Sequence, residues 1–451
     1  MKRTHFIGIG GTGLSAIARL LHESGYEVTG SDMNPSTFVD DLREIGITVY
    51  IGHVAEQIGD AEQIVRSSAI SDHNPEVVAA LEAGIPVYKR SDFLGSLMED
   101  KIGIAVAGTH GKTSTTAMMA WTLTELGQDP SFILGGVINE MNVNAHAGKG
   151  ETFVIEADEY DRMFLGLKPT IGIITNLEHD HPDIYPTAES FHEAFMDFVN
   201  LIPEGGVLIA CGDDDGAAEI LQEAKVQTIA YGFDEKDVSA KNVSANTHGG
   251  FDFRCEFSGK QSCQVSLQVP GKHNVLNALA VMSVISHLGL SLEDAAEALR
   301  SFTGTGRRFD LLGTVNGILV YDDYAHHPTE IRATLSAARA RHSESRIWVV
   351  WQPHTYSRTQ LLFEEFSQAF DNADEVIVTE VYRSREPKED FSSARVVNAM
   401  KHLSAKFIAT LEDASNYLLK NLRANDVLLV LSAGDANEVS QAVFEGLQRK
   451  G

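Results

Sequence analysis

The sequence predicts an α/β protein of three domains whose sheets are mostly parallel. Short apolar runs alternate with amphipathic stretches along nearly the whole chain, which is the pattern of strands joined by helical crossovers. The length of 451 residues fits three domains at roughly 150 residues each. Two glycine-rich turns each join an apolar run to an amphipathic one. In such folds ligand groups are expected at the carboxyl ends of the strands.

The first domain is predicted over residues 1–100. Its first helix has Leu14, Ile17, Ala18 and Leu21 on one face and ends at Gly25. The predicted strands cover residues 6–9, 28–29 and 86–88, and the predicted helices cover residues 14–24 and 75–83. The order of strand, helix and strand is the beginning of a parallel sheet.

The second domain is predicted over residues 101–310 and the third over residues 311–451. In the second domain we expect strands at 102–107, 153–155, 171–175 and 207–210, a β-rich stretch at 238–269, and helices at 114–126 and 273–286. In the third we expect strands at 318–321, 347–351, 376–379 and 427–431, with helices between them. The chain contains neither an internal repeat nor a low-complexity linker.

Composition excludes several classes of protein. A net charge of -27 argues against a general nucleic-acid binder, because phosphates need a basic surface. The three cysteines form no CxxC pair, and their number is too small for a disulfide framework. No run approaches 18 apolar residues, so no membrane insertion is expected. The chain enters a strand-like run without the apolar core of a signal peptide, so a cytoplasmic location is expected.

The first glycine turn joins the first strand to the first helix. Gly8, Gly10 and Gly13 match the pattern G-x-G-x-x-G, and Asp32 lies about 20 residues further on. Backbone amides at such a turn can hold a pyrophosphate at the positive end of the helix dipole. The turn therefore predicts a Rossmann-like domain, but it does not choose between NAD, FAD and a UDP-sugar. A tight turn without a ligand is the alternative.

The second turn, residues 108–113, predicts a nucleoside triphosphate site and a central ATPase domain of the P-loop type. Its loop amides would surround the β- and γ-phosphates, and Lys112 would place its ammonium on them. The hydroxyl of Thr113 would bind Mg²⁺. The loop is shorter than the strict pattern G-x-x-x-x-G-K-[ST], because Val106 stands where the first glycine is expected.

Two polar segments follow strands of the second domain and offer metal ligands. Residues 156–161 contain four acids, and Glu156 directly follows an apolar run. Residues 176–181 end in His181. Mg²⁺ needs only one or two carboxylates beside the phosphates, so Glu156 and one histidine are candidates for Mg²⁺ or Mn²⁺. A solvated acidic loop is the alternative for residues 156–161, and a zinc site is poorly supported without cysteines or an HExxH motif.

Further polar clusters begin a helix or follow strands of the third domain. Asn274 and Asn277 are three residues apart on one helical face and would suit a base edge, although capping explains Asn274 equally well. Residues 305–310 offer the guanidinium of Arg308 to a phosphate. Residues 322–330 and 354–358 are polar and aromatic at the ends of strands.

The order of these motifs and polar clusters resembles that of the Mur ligases over nearly the whole length of the chain. The Mur ligases are ATP-dependent enzymes that build the peptide of peptidoglycan. The Gly-Thr-x-Gly-Lys-Thr loop marks the superfamily. The segments 156–159, 304–310 and 322–330 resemble the branch that adds L-alanine to UDP-N-acetylmuramate. The resemblance implies a Rossmann-like C-terminal domain that closes over ATP and the amino acid. It also implies that the protein acts in peptidoglycan precursor synthesis, as a monomer or homodimer.

The family's site residues are carried over position by position. The resemblance implies that the UDP pyrophosphate contacts Gly8, Gly10, Gly11 and Gly13, with Asp32 and Ser68 near the nucleoside. It implies that ATP contacts Gly108, Thr109, His110, Gly111, Lys112, Thr113, Ser114, Asn274, Asn277, Arg308 and Asp323. The metal would bind Thr113, Glu156 and His181, while Tyr324, His326 and Arg358 would line the pocket for the amino acid and the muramate carboxylate. Lys112, Glu156, His181, Arg308 and His326 are the implied catalytic residues.

The sequence departs from the family pattern at a few positions. Thr355 stands where many members have arginine, Tyr160 where serine is common, and Ala325 where glycine is common. Phe195 stands where other branches carry a modified lysine, which fits the L-alanine branch. Because of Thr355, a sibling ligase that adds another amino acid or a preformed peptide is the alternative. A nucleotide-binding dehydrogenase and a non-catalytic nucleotide-gated module are rivals from other classes.

Overall fold

A computed structural model describes residues 2–258 and 261–449, and within these ranges the chain forms three sheets. The first sheet has five parallel strands in the order β3-β2-β1-β4-β5. Its strands are β1 (Arg3–Ile7), β2 (Glu27–Asp32), β3 (Thr48–Ile51), β4 (Gln63–Arg66) and β5 (Val87–Lys89). Its helices are α1 (Thr12–Glu23), α2 (Thr37–Glu44), α3 (Pro75–Glu82) and α4 (Arg90–Leu97).

The central sheet has ten strands in the order β15-β14-β13-β12-β11-β10-β6-β9-β7-β8, parallel except at its two edges. Its strands are β6 (Ile102–Ala107), β7 (Ser131–Ile138), β8 (Val143–His146), β9 (Thr152–Glu156), β10 (Ile171–Ile174), β11 (Val207–Cys211), β12 (Gln227–Gly232), β13 (Val238–Ala245), β14 (Phe251–Phe257) and β15 (Gln261–Ser266). Its helices are α5 (Lys112–Glu125), α6 (Ala188–Val199), α7 (Asp215–Glu223), α8 (Lys272–His287) and α9 (Leu292–Ser301). The β-rich stretch predicted from the sequence is the antiparallel edge β13–β15.

The third sheet has six strands in the order β16-β17-β21-β18-β19-β20, and only the pair β16·β17 is antiparallel. Its strands are β16 (Asp310–Val315), β17 (Ile318–Asp323), β18 (Arg346–Trp351), β19 (Glu375–Val378), β20 (Ala405–Phe407) and β21 (Asp426–Leu431). Its helices are α10 (Pro328–Arg341), α11 (Tyr356–Leu361), α12 (Phe363–Ser367), α13 (Ala394–Ala399), α14 (Leu411–Asn421) and α15 (Asn437–Gln448). The three-domain α/β fold with mostly parallel sheets is therefore confirmed.

The ends of the elements differ from the prediction at both glycine turns. The first strand stops at Ile7 because Gly8 turns the chain with φ +83°. The helix after the second turn begins at Lys112, two residues earlier than predicted, because Gly111 adopts φ +80° as its N-cap. Only glycine adopts such positive φ values without strain. Both turns thus lie at the carboxyl end of a strand, directly before a helix.

The first and central sheets share apolar packing. One buried cluster joins α1 residues such as Leu14 and Ile17 to Ile133 of β7 and Phe164. This shared burial fixes the direction of α1 relative to the central sheet, because closely packed interiors resist displacement.

In the described part of the chain, no helix is long and apolar enough to cross a membrane.

Candidate active site

The phosphate loop, residues 108–113, follows β6 and leads into α5. A side chain at Gly108 would overlap the hydroxyl of Thr175, and Gly108 has φ +132°. That hydroxyl donates a hydrogen bond to the carbonyl of His110 at 2.6 Å, and the Asn176 side chain accepts one from the His110 amide at 2.9 Å. The end of β10 therefore fixes the loop, whose glycines let the backbones approach.

Lys112 lies inside this loop rather than in solvent. Its ammonium donates to the carbonyl of Gly108 at 2.6 Å and pairs with Glu159 at 2.9 Å. Burial alone would lower the pKa of Lys112, but Glu159 and Asp158 outweigh it and raise the pKa above its ordinary value. Lys112 is therefore a positive charge held in place by the loop carbonyls and Glu159. Glu159 is a partner that sequence reasoning left unassigned, although it belongs to the acidic run that was singled out.

The predicted metal ligands fall into two neighbouring groups. The Thr113 hydroxyl donates to Glu156 at 2.9 Å, and the other oxygen of Glu156 accepts from the Gly135 amide at 2.6 Å. The ring of His181 lies 3.5 Å from Glu159 and 3.7 Å from Asp180. A hydroxyl and a carboxylate held together beside a phosphate loop are oxygen donors of the kind that Mg²⁺ and Mn²⁺ both take. The donor set fits the implied ion.

His110 connects the phosphate loop with the third domain. One ring nitrogen lies 2.9 Å from Glu178 and the other 3.3 Å from Glu330, the first-turn acid of α10. Thr329 also donates to Glu178 at 3.0 Å. Burial would lower the pKa of His110, but hydrogen bonds to Glu178 and Glu330 raise it to about 9. The ligand atoms of His110, Glu178 and His327 lie within 4.8 Å of one another, but a ring facing two carboxylates favours an ion pair over a metal.

The contact made by His110 predicts a pH-dependent stability. Because its pKa rises from 6.5 to about 9 on folding, its contribution is complete below pH 6.5 and is lost as the pH rises to about 9. We expect the wild type to lose more thermal stability than His110→Gln between pH 7 and pH 9.5. The difference between the two melting curves isolates this histidine from other titrating groups. Parallel curves for both proteins would contradict the prediction.

A cavity opens between the phosphate loop, the start of α8 and the third domain. Its lining includes the predicted nucleotide residues His110, Gly111, Ser114, Asn274, Asn277, Arg308 and Asp323. Asn277 donates to Asn274 at 3.0 Å and lies against Gly111. Capping does not explain Asn274, because the N-cap of α8 is Gly271 and Asn274 instead donates to the carbonyl of Pro270 at 2.7 Å. The structure therefore brings residues as far apart in sequence as His110 and Asp323 to one cavity.

Arg308, Tyr324 and His326 form the wall of the site on the side of the third domain. The guanidinium of Arg308 lies 5.1 Å from the centre of the Tyr324 ring and 3.5 Å from Glu330. Nδ1 of His326 donates to the carbonyl of Tyr324 at 3.0 Å, which leaves Nε2 as an acceptor. Burial lowers the pKa of His326 to about 3, although Glu330 opposes the shift. At neutral pH His326 is therefore an uncharged imidazole.

Asp323, predicted near the ATP ribose, accepts hydrogen bonds from backbone amides of two other residues. Its carboxylate accepts from the amides of Phe309 and Ala325 at 2.8 and 2.7 Å. Burial raises its pKa to about 6 against the effect of Arg308. Asp323 thus orders the two segments that carry Arg308 and Tyr324, and it also lines the cavity.

Arg358 differs from the expectation that it faces the amino acid. Its guanidinium binds Asp180 through two hydrogen bonds at 2.9 and 3.1 Å, and a third N–H lies 3.1 Å from His354. Arg358 and Asp180 are both buried. Sequence reasoning missed this pair because it joins α11 to the loop after β10, 178 positions away. In this arrangement Asp180 and His354 accept four of the five guanidinium N–H donors, so Arg358 serves mainly to hold the two domains together.

The first glycine turn also differs from the expectation. The amide of Gly8 donates to the carbonyl of Ser31 at 2.8 Å, and the amide of Gly10 donates to the carboxylate of Asp32 at 2.8 Å. The amide of Gly11 donates to the carbonyl of Gly8 at 3.4 Å. These three amides are therefore not free for a pyrophosphate, and Asp32 holds the turn itself. Gly13 lies in the first turn of α1. Ser68 is exposed in the turn after β4, next to Ser67, whose Cβ faces Gly8.

The chain matches three family models in sequence order. Residues 3–102 match the Mur ligase family catalytic domain, residues 106–285 the Mur ligase middle domain, and residues 307–434 the Mur ligase glutamate ligase domain. UDP-N-acetylmuramate–L-alanine ligase of Clostridium acetobutylicum is 41% identical over 444 residues, covering 98% of this chain and 97% of the relative. The enzyme of the same name from Geobacter sp. strain M21 is 41% identical over 451 residues, with 98% and 97% covered.

The solved structures that this chain resembles are also ligases of this kind. UDP-N-acetylmuramate-alanine ligase of Thermotoga maritima superposes with a TM-score of 0.84 at 32% identity, with all of both chains covered. A murein peptide ligase of Psychrobacter arcticus superposes with a TM-score of 0.74 at 27% identity, with 99% of both chains covered. The matches extend over all three sheets and over the phosphate loop. The chain belongs to the Mur ligase family.

Proposed function

We propose that this protein ligates L-alanine to the lactyl carboxylate of UDP-N-acetylmuramate and converts ATP to ADP and phosphate. The observation that carries the proposal is the cavity between the central and third domains, where the phosphate loop faces Arg308. Full-length relatives at 41% identity bear the name of this activity. A dehydrogenase would leave the phosphate loop, Glu156 and Arg308 without a role.

The chemistry begins with a weak nucleophile beside an anionic triphosphate. A carboxylate oxygen attacks the γ-phosphorus, ADP leaves, and an acyl phosphate forms. Lys112 and Arg308 lower the barrier because they hold positive charge where negative charge develops. Thr113 and Glu156, with His181 near, would hold Mg²⁺, which would supply positive charge to screen the phosphate oxygens. The amine of alanine then attacks the acyl carbon, and phosphate leaves.

Water must be kept from the acyl phosphate, since it would hydrolyse the intermediate. The third domain covers the site through the buried pair Arg358–Asp180 and the contact of His110 with Glu330. Uncharged His326 and the ring of Tyr324 lie on this covering wall. They offer a hydrogen-bond acceptor and an apolar face to a small amino acid.

The test is phosphate release from ATP with UDP-N-acetylmuramate and single amino acids, followed by the mass of the product. We expect release to require both the nucleotide sugar and L-alanine. Glycine, L-serine and a tripeptide serve as comparisons, because Thr355 replaces a family arginine beside the site. Faster release with the tripeptide would identify a peptide-adding sibling such as the murein peptide ligase. Release without any acceptor would reject the ligase.

A further inference from the structure

A second cavity, of about 670 Å³, lies between the central and third domains and adjoins the nucleotide cavity. Residues 245–251, around the turn between β13 and β14, and residues 270–273, at the start of α8, form its central-domain wall. The C-terminal half of α10 forms the opposite wall. Ligand cavities in proteins have volumes of about 300 to 1,000 Å³, so the second cavity is large enough for a small molecule. The residues that it shares with the nucleotide cavity are Pro270, His273, Ala333 and Ala337.

The side chains that line the second cavity carry positive charge and no negative charge. Lys272, the first residue of α8, contributes an ammonium, and Arg341, the last residue of α10, contributes a guanidinium. Within the described part of the chain, no aspartate or glutamate lines this cavity, although the sequence has 63 acidic residues against 36 lysines and arginines. The charge of the cavity is therefore opposite to that of the protein as a whole, which favours an anionic ligand.

Neither of these two cations is neutralised by a neighbouring acid. Among the described residues, no carboxylate forms a salt bridge with Lys272 or Arg341, whereas Arg339, two positions earlier on α10, binds Asp374 at 2.6 Å. Arg341 is nevertheless held in place. A side chain at Gly249 would overlap its Nε, so the guanidinium extends from the third domain to the turn of the central domain. Its donors are therefore located inside the cavity and available to a ligand.

The turn that the guanidinium contacts is fixed by Asn246. The side-chain oxygen of Asn246 accepts hydrogen bonds from the amides of His248 and Gly250 at 3.0 and 3.1 Å. Its side-chain nitrogen donates to the carbonyl of Leu267 at 2.9 Å. Gly249 adopts φ +87° within this turn, a conformation that glycine takes without strain. This wall of the cavity is thus formed before any ligand binds, which reduces the entropy that binding must lose.

We propose that the second cavity binds a small molecule through a diphosphate group, with Lys272 on the central-domain side and Arg341 on the third-domain side. Two cations on opposite walls suit an anion with several charged oxygens, and a guanidinium binds two phosphate oxygens at once. The volume leaves room for an attached group such as a nucleoside. Because the two cations belong to different domains, the bound diphosphate favours the closed arrangement of those domains. This site lies outside the substrate sites of the proposed function.

The experiment is calorimetric titration of the full chain with pyrophosphate and with GDP, in excess Mg²⁺. The protein is first saturated with a non-hydrolysable ATP analogue and UDP-N-acetylmuramate, so that an added diphosphate reports only a further site. We expect one further site in the wild type. Its affinity should fall about 10-fold in Lys272→Gln and in Arg341→Gln, the effect of losing a hydrogen bond to a charged group. Arg341→Lys should lose less, because it keeps the charge.

Arg339→Gln is the matched control, because it removes the same charge from α10 at a position where Asp374 already neutralises it. We expect its affinity for both probes to equal that of the wild type. Tighter binding of GDP than of pyrophosphate would support a nucleoside diphosphate as the ligand, and equal binding would support the diphosphate alone.

Absence of a further site for both probes at millimolar concentration would overturn the proposal. Unchanged affinity in both Lys272→Gln and Arg341→Gln would also overturn it, as would an equal loss in Arg339→Gln. Thermal unfolding verifies that each variant folds, and the two positions lie in different domains, so each variant tests the site independently of the other. The ligase assay is separate: its failure would reject the proposed function, while the dependence of diphosphate binding on Lys272 and Arg341 would remain.

Discussion

Replacement of Lys112 by methionine is expected to lower kcat by about 10³-fold, the scale for removing a donor that stabilises transition-state charge. The ammonium is fixed by Gly108, Thr109 and Glu159 at the centre of the phosphate loop. Its loss removes positive charge from the γ-phosphate as the carboxylate attacks. Steady-state phosphate release with saturating substrates measures the effect. Activity similar to the wild type would contradict the assignment of the loop.

A second effect of this substitution must be separated from catalysis. Lys112→Met leaves Glu159, which is 2% exposed, without its cation, and breaking a buried pair costs about 3 to 5 kcal/mol. The double variant Lys112→Met/Glu159→Gln removes the unpaired charge. We expect it to regain thermal stability but not turnover. Lys168→Met is the control, because this lysine pairs with Glu99 at the surface. Recovery of turnover in the double variant would show that Lys112 acts on stability alone.

Replacement of Arg358 by methionine is expected to release the third domain from the central domain. It would leave Asp180 buried without a partner, at a cost of about 3 to 5 kcal/mol. The pKa of Asp180 lies well below its ordinary range, because Arg358 outweighs the effect of burial. If closure is needed for the reaction, kcat/KM falls by at least about 100-fold. Steady-state kinetics and X-ray scattering of the ATP-bound protein measure activity and compactness.

The double variant Arg358→Met/Asp180→Asn distinguishes a closure contact from a substrate ligand. We expect it to recover compactness and part of kcat/KM, since it buries no unpaired charge. A raised KM for the amino acid with compactness unchanged would instead return Arg358 to the amino-acid pocket. Arg346→Met is the matched control. That arginine makes a similar two-bonded pair with Asp426 inside the third domain, so its loss should affect stability but not closure.

The fold was largely predictable because periodicity and turns are local properties. The strand Ile102–Ala107 was predicted at its observed bounds, and most other long strands to within one or two residues. Strands such as β7 and β8 were missed, because Gly135 and Gly136 interrupt the apolar run of β7 and β8 has only four residues. The roles assigned to individual site residues remain proposals, but the sequence motifs identified most segments that line the cavity.

The sequence by itself determined that a glycine-rich loop before a helix, an acidic run and several polar strand ends exist in this protein, and its motifs indicated the family. Only the tertiary structure decided how these groups are paired. It showed that Arg358 binds Asp180 and that Asp32 binds Gly10. The physical reason is that a motif reports local backbone geometry, whereas the partner of a charged side chain depends on which distant segments the packing of three sheets brings together.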